Sequence, residues 1–249
     1  MCVNAANTHK DFAFLTQENL GAEITNVSKD WGQIAVQGPR APELLESLCG
    51  KAFTDCKSFH FFSWDFEGHS CLVAKTGYTG EPGGEIFVPW EATEALWKAL
   101  MAKEQGAGPI GLAARDTLRT EMKYSLYGHE ISDETNPYSA GLGWVVKPQA
   151  KDFLGKGPML AEKESGIKQK LVGLEIQGRG IARQGYKAFS FDNEEIGEVT
   201  SGTLSPSLNK AIAIAFVRTD LAAVGTRLFV EIRNKMVEAV VVKTPFYRN

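Results

Sequence analysis

This chain lacks several things, and each absence removes a class of function. No apolar run approaches the roughly 18–20 residues of a transmembrane helix. No basic cluster stands out: the net charge is −3, with both signs interspersed, so the electrostatic footprint of a nucleic-acid binder is missing. The four cysteines, Cys2, Cys49, Cys56 and Cys71, form no C-x-x-C pair, and no histidine stands at a ligand spacing from them. That excludes the usual zinc patterns, and no metal is expected. The opening residues 1–7 have neither the apolar core of a signal peptide nor the arginines of a transit peptide. Reduced thiols and a cytoplasmic location are the expectation. There is no internal repeat and no low-complexity segment.

What is present is ordinary globular material. With 249 residues, 43% hydrophobic and 23% charged, the chain can bury a core without staples and can hold one large or two to three small domains. Residues 2–6 read as the end of an apolar strand and residues 10–20 as a helix. Residues 33–37 read as a strand ended by Gly38-Pro39, and residues 42–48 as a short helix with Leu44, Leu45 and Leu48 on one side. Aromatic and β-branched runs at 58–66 and 70–75, joined at Glu67-Gly68, predict a hairpin. A strand at 85–88 and helices at 93–103 and 111–126 follow. Strand, helix, hairpin, strand and helix predict an α+β fold with a ferredoxin-like region. Residues 129–168 read as loop-rich. From Lys170 onward, short strands at 171–176, 197–200, 211–217, 227–232 and 237–242, punctuated by Gly, Asn and Pro, predict a small antiparallel β-barrel or sandwich.

Three segments carry candidate chemistry. Gly77-Tyr78-Thr79-Gly80-Glu81-Pro82-Gly83-Gly84-Glu85 packs four glycines into nine residues. It is either a long glycine hairpin or a loop whose backbone approaches a ligand. Tyr78 inside the turn and Glu85 at the mouth of the apolar run 86–88 favour the second, because a carboxylate there needs a partner. No Gly-Lys-Ser/Thr follows, so this is not a phosphate loop. In residues 111–119, Arg115 and Arg119 lie one helical turn apart, and Asp116 can pair with Arg119. Either this is a solvated charged face, or Arg115, behind Ala113-Ala114, faces a cleft with Glu85 as its candidate partner. In the third segment, Trp144 between small residues is a core tryptophan or a wall for a flat heterocycle, and His129 alone reads as a surface or capping histidine.

The ordered series of these segments resembles the T-protein family of the glycine cleavage system. The series comprises Gly77 to Glu81 with Glu85, Gly111 to Arg119, Leu126-Tyr127-Gly128 and Gly141-Leu142-Gly143-Trp144. It continues through Phe153-Leu154-Gly155-Lys156, Gly197 to Gly202 with Ser205-Pro206, and Pro245-Phe246-Tyr247. The resemblance implies an aminomethyltransferase that takes the aminomethyl group from the lipoyl arm of the H-protein, delivers the one-carbon unit to tetrahydrofolate and releases ammonia. It implies that Glu85 binds the pterin edge, that Arg115 shares its cleft, and that Tyr78, Asn4, Trp144 and Tyr247 contact ligand. It implies a ferredoxin-like folate-binding domain at 31–140, with residues 1–30 a remnant and residues 141–168 a connecting region of the folate-binding part, and a β-barrel domain at 169–249. Pro82 departs from the family's usual Asp or Asn. The family's catalytic aspartate, in an Asp-Asp pair ahead of the Val-Asn-Ala segment, falls before Met1. The resemblance therefore also leaves open a related folate-dependent demethylase or a non-catalytic folate-binding module. Iron–sulfur assembly relatives are set aside because their Lys-Gly-Cys-Tyr-x-Gly-Gln motif is absent.

Overall fold

The computed structural model describes residues 1–103 and 107–248. The chain forms two compact units, Met1–Pro109 and Ile110–Asn249.

The first unit opens with helix α1, Thr8–Gln17, which buries no residue. The expected strand at 2–6 is not formed. A 3₁₀ turn over Ala5–Asn7 replaces it, because the Asn4 side chain accepts a hydrogen bond from the Ala6 amide (3.0 Å) and starts helical winding. The other elements are β1 Trp31–Gln37, α2 Ala41–Cys49, α3 Lys51–Asp55, β2 Phe61–Phe66, β3 His69–Ala74, β4 Gly83–Pro89 and α4 Thr93–Met101. Strands β2 and β3 turn at Glu67 and Gly68, both left-handed (φ 52° and 86°), with Asp65 accepting from the Gly68 amide (3.0 Å); this turn matches the twist of a tight hairpin. The meander continues through β4, which returns beside β1, giving the antiparallel order β1-β4-β3-β2. Alternation sorts the sheet. Ile34, Cys71, Val73, Ile86 and Val88 face Leu44, Leu45, Phe53, Leu96 and Leu100 of the helices. Each such side chain, fully buried, contributes about 1.5–3 kcal/mol. The opposite face carries Gln33, Ala35 and Glu85 and is only partly covered.

The second unit begins with α5, Leu112–Glu121, and α6, Lys156–Ser165. The expected helix at 111–126 ends early. Lys123 is left-handed (φ 56°), and the Lys123 and Tyr124 amides bond back to the Thr120 and Arg119 carbonyls (both 2.9 Å). That is the Schellman stop, here with lysine where glycine usually stands. Helix α6 lies inside the segment expected to be loop-rich. Strands β5 Gln169–Ile176, β6 Lys187–Phe189, β7 Glu195–Ser205, β8 Lys210–Arg218, β9 Arg227–Ile232 and β10 Lys235–Val242 close into a barrel of order β10-β5-β8-β7-β6-β9. Its interior mixes Leu174, Val199, Leu228 and Val230 with Ala213, Ala215 and Ala239. Small residues alternating with large ones suit so narrow a barrel. Closure leaves no strand edge unpaired. Strand β7 carries an irregularity between Val199 and Ser201. After it, Ser201, Thr203 and Ser205 share one face, and α5 binds them there through Arg119, Thr117 and Glu121.

Candidate functional site

Glu85 lies mid-strand on the partly covered face of the first sheet. The residues opposite it are Ala35 on β1 and Ala74 on β3, too short to reach its carboxylate. Longer side chains on the same face do reach it: Gln33 Nε2 donates to Oε1 (2.7 Å) and Thr76 Oγ1 donates to Oε2 (2.5 Å). A carboxylate offers about four acceptor sites, so each oxygen keeps capacity for an external donor. The glycine loop is built around Gln37. Its Nε2 donates to the carbonyls of Thr76 (3.1 Å) and Gly84 (3.2 Å), and its Oε1 accepts from Thr79 Oγ1 (3.4 Å). A Cβ at Gly77 would lie 1.9 Å from Gln37 Oε1, and one at Gly83 would lie 2.1 Å from the Val36 carbonyl. The glycines are therefore needed for close approach, and the loop is a folded support for Glu85 as well as a turn. Tyr78, in this loop, is half-buried.

Helix α5 of the second unit carries Arg115 on an exposed turn and Arg119 one turn later in the interior. Arg119 is 1% exposed. Its guanidinium donates to Asp116 Oδ1 through Nε (2.8 Å), to the Tyr124 carbonyl (3.3 Å) and Glu130 Oε2 (2.9 Å) through one terminal nitrogen, and to Ser201 Oγ (2.7 Å) through the other. That last nitrogen also lies 2.6 Å from Asp116, so all five donors are engaged. Glu130, fully buried, also accepts from the Leu126 amide (2.9 Å) and Thr200 Oγ1 (2.6 Å). The anticipated Asp116–Arg119 pair is present. His129 is a structural tie, its Nδ1 lying 2.9 Å from the Thr200 carbonyl. Asn136 is likewise tied to Glu162 (2.8 Å) and Met159 (3.3 Å).

A concavity on the barrel is lined by His129, Lys187, Glu198, Phe216 and Arg218 among others. Lys187 pairs there with Glu198 (2.6 Å) and Arg218 with Glu194 (2.7 Å), which makes it an ionic surface groove. The thiols offer no nucleophile in the sheet core: burial pushes Cys49 up to about 12 and also raises Cys71.

The comparisons with known proteins bear on this arrangement directly. A model of the GCVT N-terminal domain matches residues 1–150, and one of the glycine cleavage T-protein C-terminal barrel domain matches residues 169–248. The aminomethyltransferase of Bdellovibrio bacteriovorus is 54% identical over 248 residues, which cover 99% of this chain and 69% of that protein. That of Desulforamulus reducens is 45% identical over 251 residues, covering 100% and 69%. The crystal structure of glycine cleavage system aminomethyltransferase T from Bartonella henselae superposes with a TM-score of 0.89 at 32% identity, over 98% of this chain and 67% of that one. The chain belongs to the glycine-cleavage T-protein family. Within that family its activity is aminomethyl transfer, and the T-protein reading stands over the demethylase and the non-catalytic module.

The residues expected to act in this T-protein are distributed as follows. Glu85, Tyr78 and Asn4 belong to the first unit, and Arg115, Trp144 and Tyr247 to the second. Asn4 is exposed and caps the first turn. Trp144 is 73% exposed, so the core reading of this tryptophan falls. Tyr247 is half-buried, and its amide and that of Phe246 both donate to the Glu121 carbonyl (3.3 and 2.9 Å). Sequence reasoning missed Gln33, Gln37 and Thr76. The signal was available for the glutamines: they alternate with Ile34 and Val36 in a strand, which puts both on the face opposite the core. It also missed Glu121, whose buried carboxylate accepts from Ser205 Oγ (2.5 Å) and Ser207 Oγ (2.9 Å). Among the described residues no helix is long and apolar enough to cross a membrane.

Proposed function

We propose that the chain delivers the one-carbon unit of aminomethyl-lipoyl H-protein to tetrahydrofolate with release of ammonia, in the cytoplasm. The folate-binding part is assigned to residues 1–168, with 31–140 its ferredoxin-like portion, and the barrel to residues 169–249. The observation that carries this reading is the Glu85 carboxylate, held by one internal donor on each oxygen and retaining acceptor capacity on both. Such a group suits a flat edge with two parallel N–H donors, as the pterin ring presents, because a bidentate charge-assisted pair fixes orientation as well as affinity. Tyr78 and Asn4 contribute to the same ligand from the first unit. In the second unit, Arg115, Trp144 and Tyr247 are the residues to which the family resemblance assigns ligand contacts.

Calorimetric titration with tetrahydrofolate tests the assignment. Replacing Glu85 by Ala removes both charge-assisted bonds and leaves pterin donors unpaired, a loss on the order of 2–3 kcal/mol. Replacing Glu81, a carboxylate of the same loop, should leave affinity nearly unchanged. Equal effects from Glu85→Ala and Glu81→Ala would remove Glu85 from the site.

A further inference from the structure

The grip on Glu85 has a geometry of its own. Ala35 and Ala74 flank it directly and leave its side chain room to swing. The two donors come from opposite diagonals. Gln33 pairs across from Phe87, two residues beyond Glu85 on β4. Thr76 lies two residues past Ala74, beyond the end of β3. The carboxylate is therefore held from both neighbouring strands and from both ends. Two donors on different oxygens fix its plane, where a single donor would leave rotation about the terminal bond free. Thr76 is itself held in place, since its carbonyl accepts from Gln37, the side chain wedged against Gly77 and Gly83. The order of support runs from the glycines to Gln37, from Gln37 to Thr76 and from Thr76 to Glu85.

We infer that Thr76 and Gln33 are positioning residues, which set the plane of the Glu85 carboxylate so that both oxygens meet a ligand edge bearing two parallel N–H groups. This rests on the reading of Glu85 as a ligand-binding residue. Their role is orientation, and their effect passes through Glu85. A carboxylate of unfixed plane still attracts one donor but loses the second bond.

The test is a double-mutant cycle in the full chain, read as the tetrahydrofolate dissociation constant. Thr76→Val keeps the shape and removes the hydroxyl; it should weaken binding roughly tenfold, the scale of one charge-assisted bond. Thr76→Ser restores the donor and should bind nearly as the parent does. In the Glu85→Ala background, Thr76→Val should change affinity by less than about twofold, since the group it orients is gone. A ligand analogue with the pterin amino group replaced by methyl gives a second readout: its disadvantage against tetrahydrofolate should shrink in Thr76→Val. If Thr76→Val costs the same factor with and without Glu85, the positioning role is overturned while Glu85 stands. If Glu85→Ala or the parent chain shows no folate-dependent difference, the underlying reading fails and this inference with it. Gln33 is exposed, so Gln33→Met completes the same cycle should Thr76→Val not fold.

Discussion

The two units hold a carboxylate in opposite ways. In the barrel unit, Glu130 is fully buried and takes three donors, and the arginine facing it has all five of its own engaged. In the sheet unit, Glu85 is partly exposed and takes two neutral donors, one on each oxygen. The buried carboxylate, with three of about four acceptor sites filled, locks a helix to a strand. The half-saturated one keeps acceptors for something outside. Satisfaction of acceptors, more than burial or charge alone, separates architecture from site here.

The largest expected effect breaks the buried side. Arg119→Ala leaves Glu130 buried without its ion-pair partner and should destabilise the chain by about 3–5 kcal/mol in chemical denaturation. A loss below about 1 kcal/mol would mean that water replaces the arginine. Next comes a backbone contact. A Cβ at Gly197 would lie 1.9 Å from the Phe216 carbonyl, so Gly197→Ala should cost about 1–3 kcal/mol. At Gly77 the obstacle is the end of a side chain, Gln37. Gly77→Ala should cost less stability than Gly197→Ala and instead weaken folate binding, by displacing the support of Thr76. Equal stability losses at the two glycines would erase the distinction between the units. Glu85→Gln should leave stability within about 0.5 kcal/mol of the parent, as surface changes do.

The smallest effect is a slope. Burial holds the Lys123 ammonium below the usual lysine range, with Glu130 opposing the shift. A base whose folded pKa is depressed binds fewer protons folded than unfolded. Stability should therefore rise as pH increases from the depressed folded value toward the ordinary lysine value. Lys123→Met should flatten that alkaline rise in a pH series of thermal melts. An unchanged slope would place the shift elsewhere.

Much of the fold was readable because it rests on local signals. The hairpin at Glu67-Gly68, the apolar runs of the barrel and the glycine loop each carry their cue within a few residues. Residues 2–6 failed as a strand because a capping side chain at Asn4 outcompetes a short apolar run. The stop of α5 failed because its left-handed residue is Lys123, without the glycine that marks such ends. The three-residue strand β6 is too short for a period to show. The candidate site divided along the same line. Glu85 stood out by its position before an apolar run. Arg115 and Arg119 are equivalent in sequence, one turn apart with the same charge, and only the remote strand β7, through Ser201, decides which is interior. Thr76 was hidden because its role depends on which strand β3 adjoins.

The irregularity in β7 has a consequence for inheritance. Upstream of it, Val199 points into the barrel; downstream, Ser201, Thr203 and Ser205 point at α5. The extra residue at Thr200 is one codon. Removing that codon would restore an unbroken ladder and leave every later side chain on its present face, because Val199 already pairs with Ala215 and Ser201 with the next residue of β8, Ile214. Arg119 and Glu121 would keep Ser201 and Ser205, while the buried Glu130 would lose the donor that Thr200 gives it. An in-frame deletion of this one triplet should therefore be felt at the buried Glu130, and the strand it leaves should keep its facing residues.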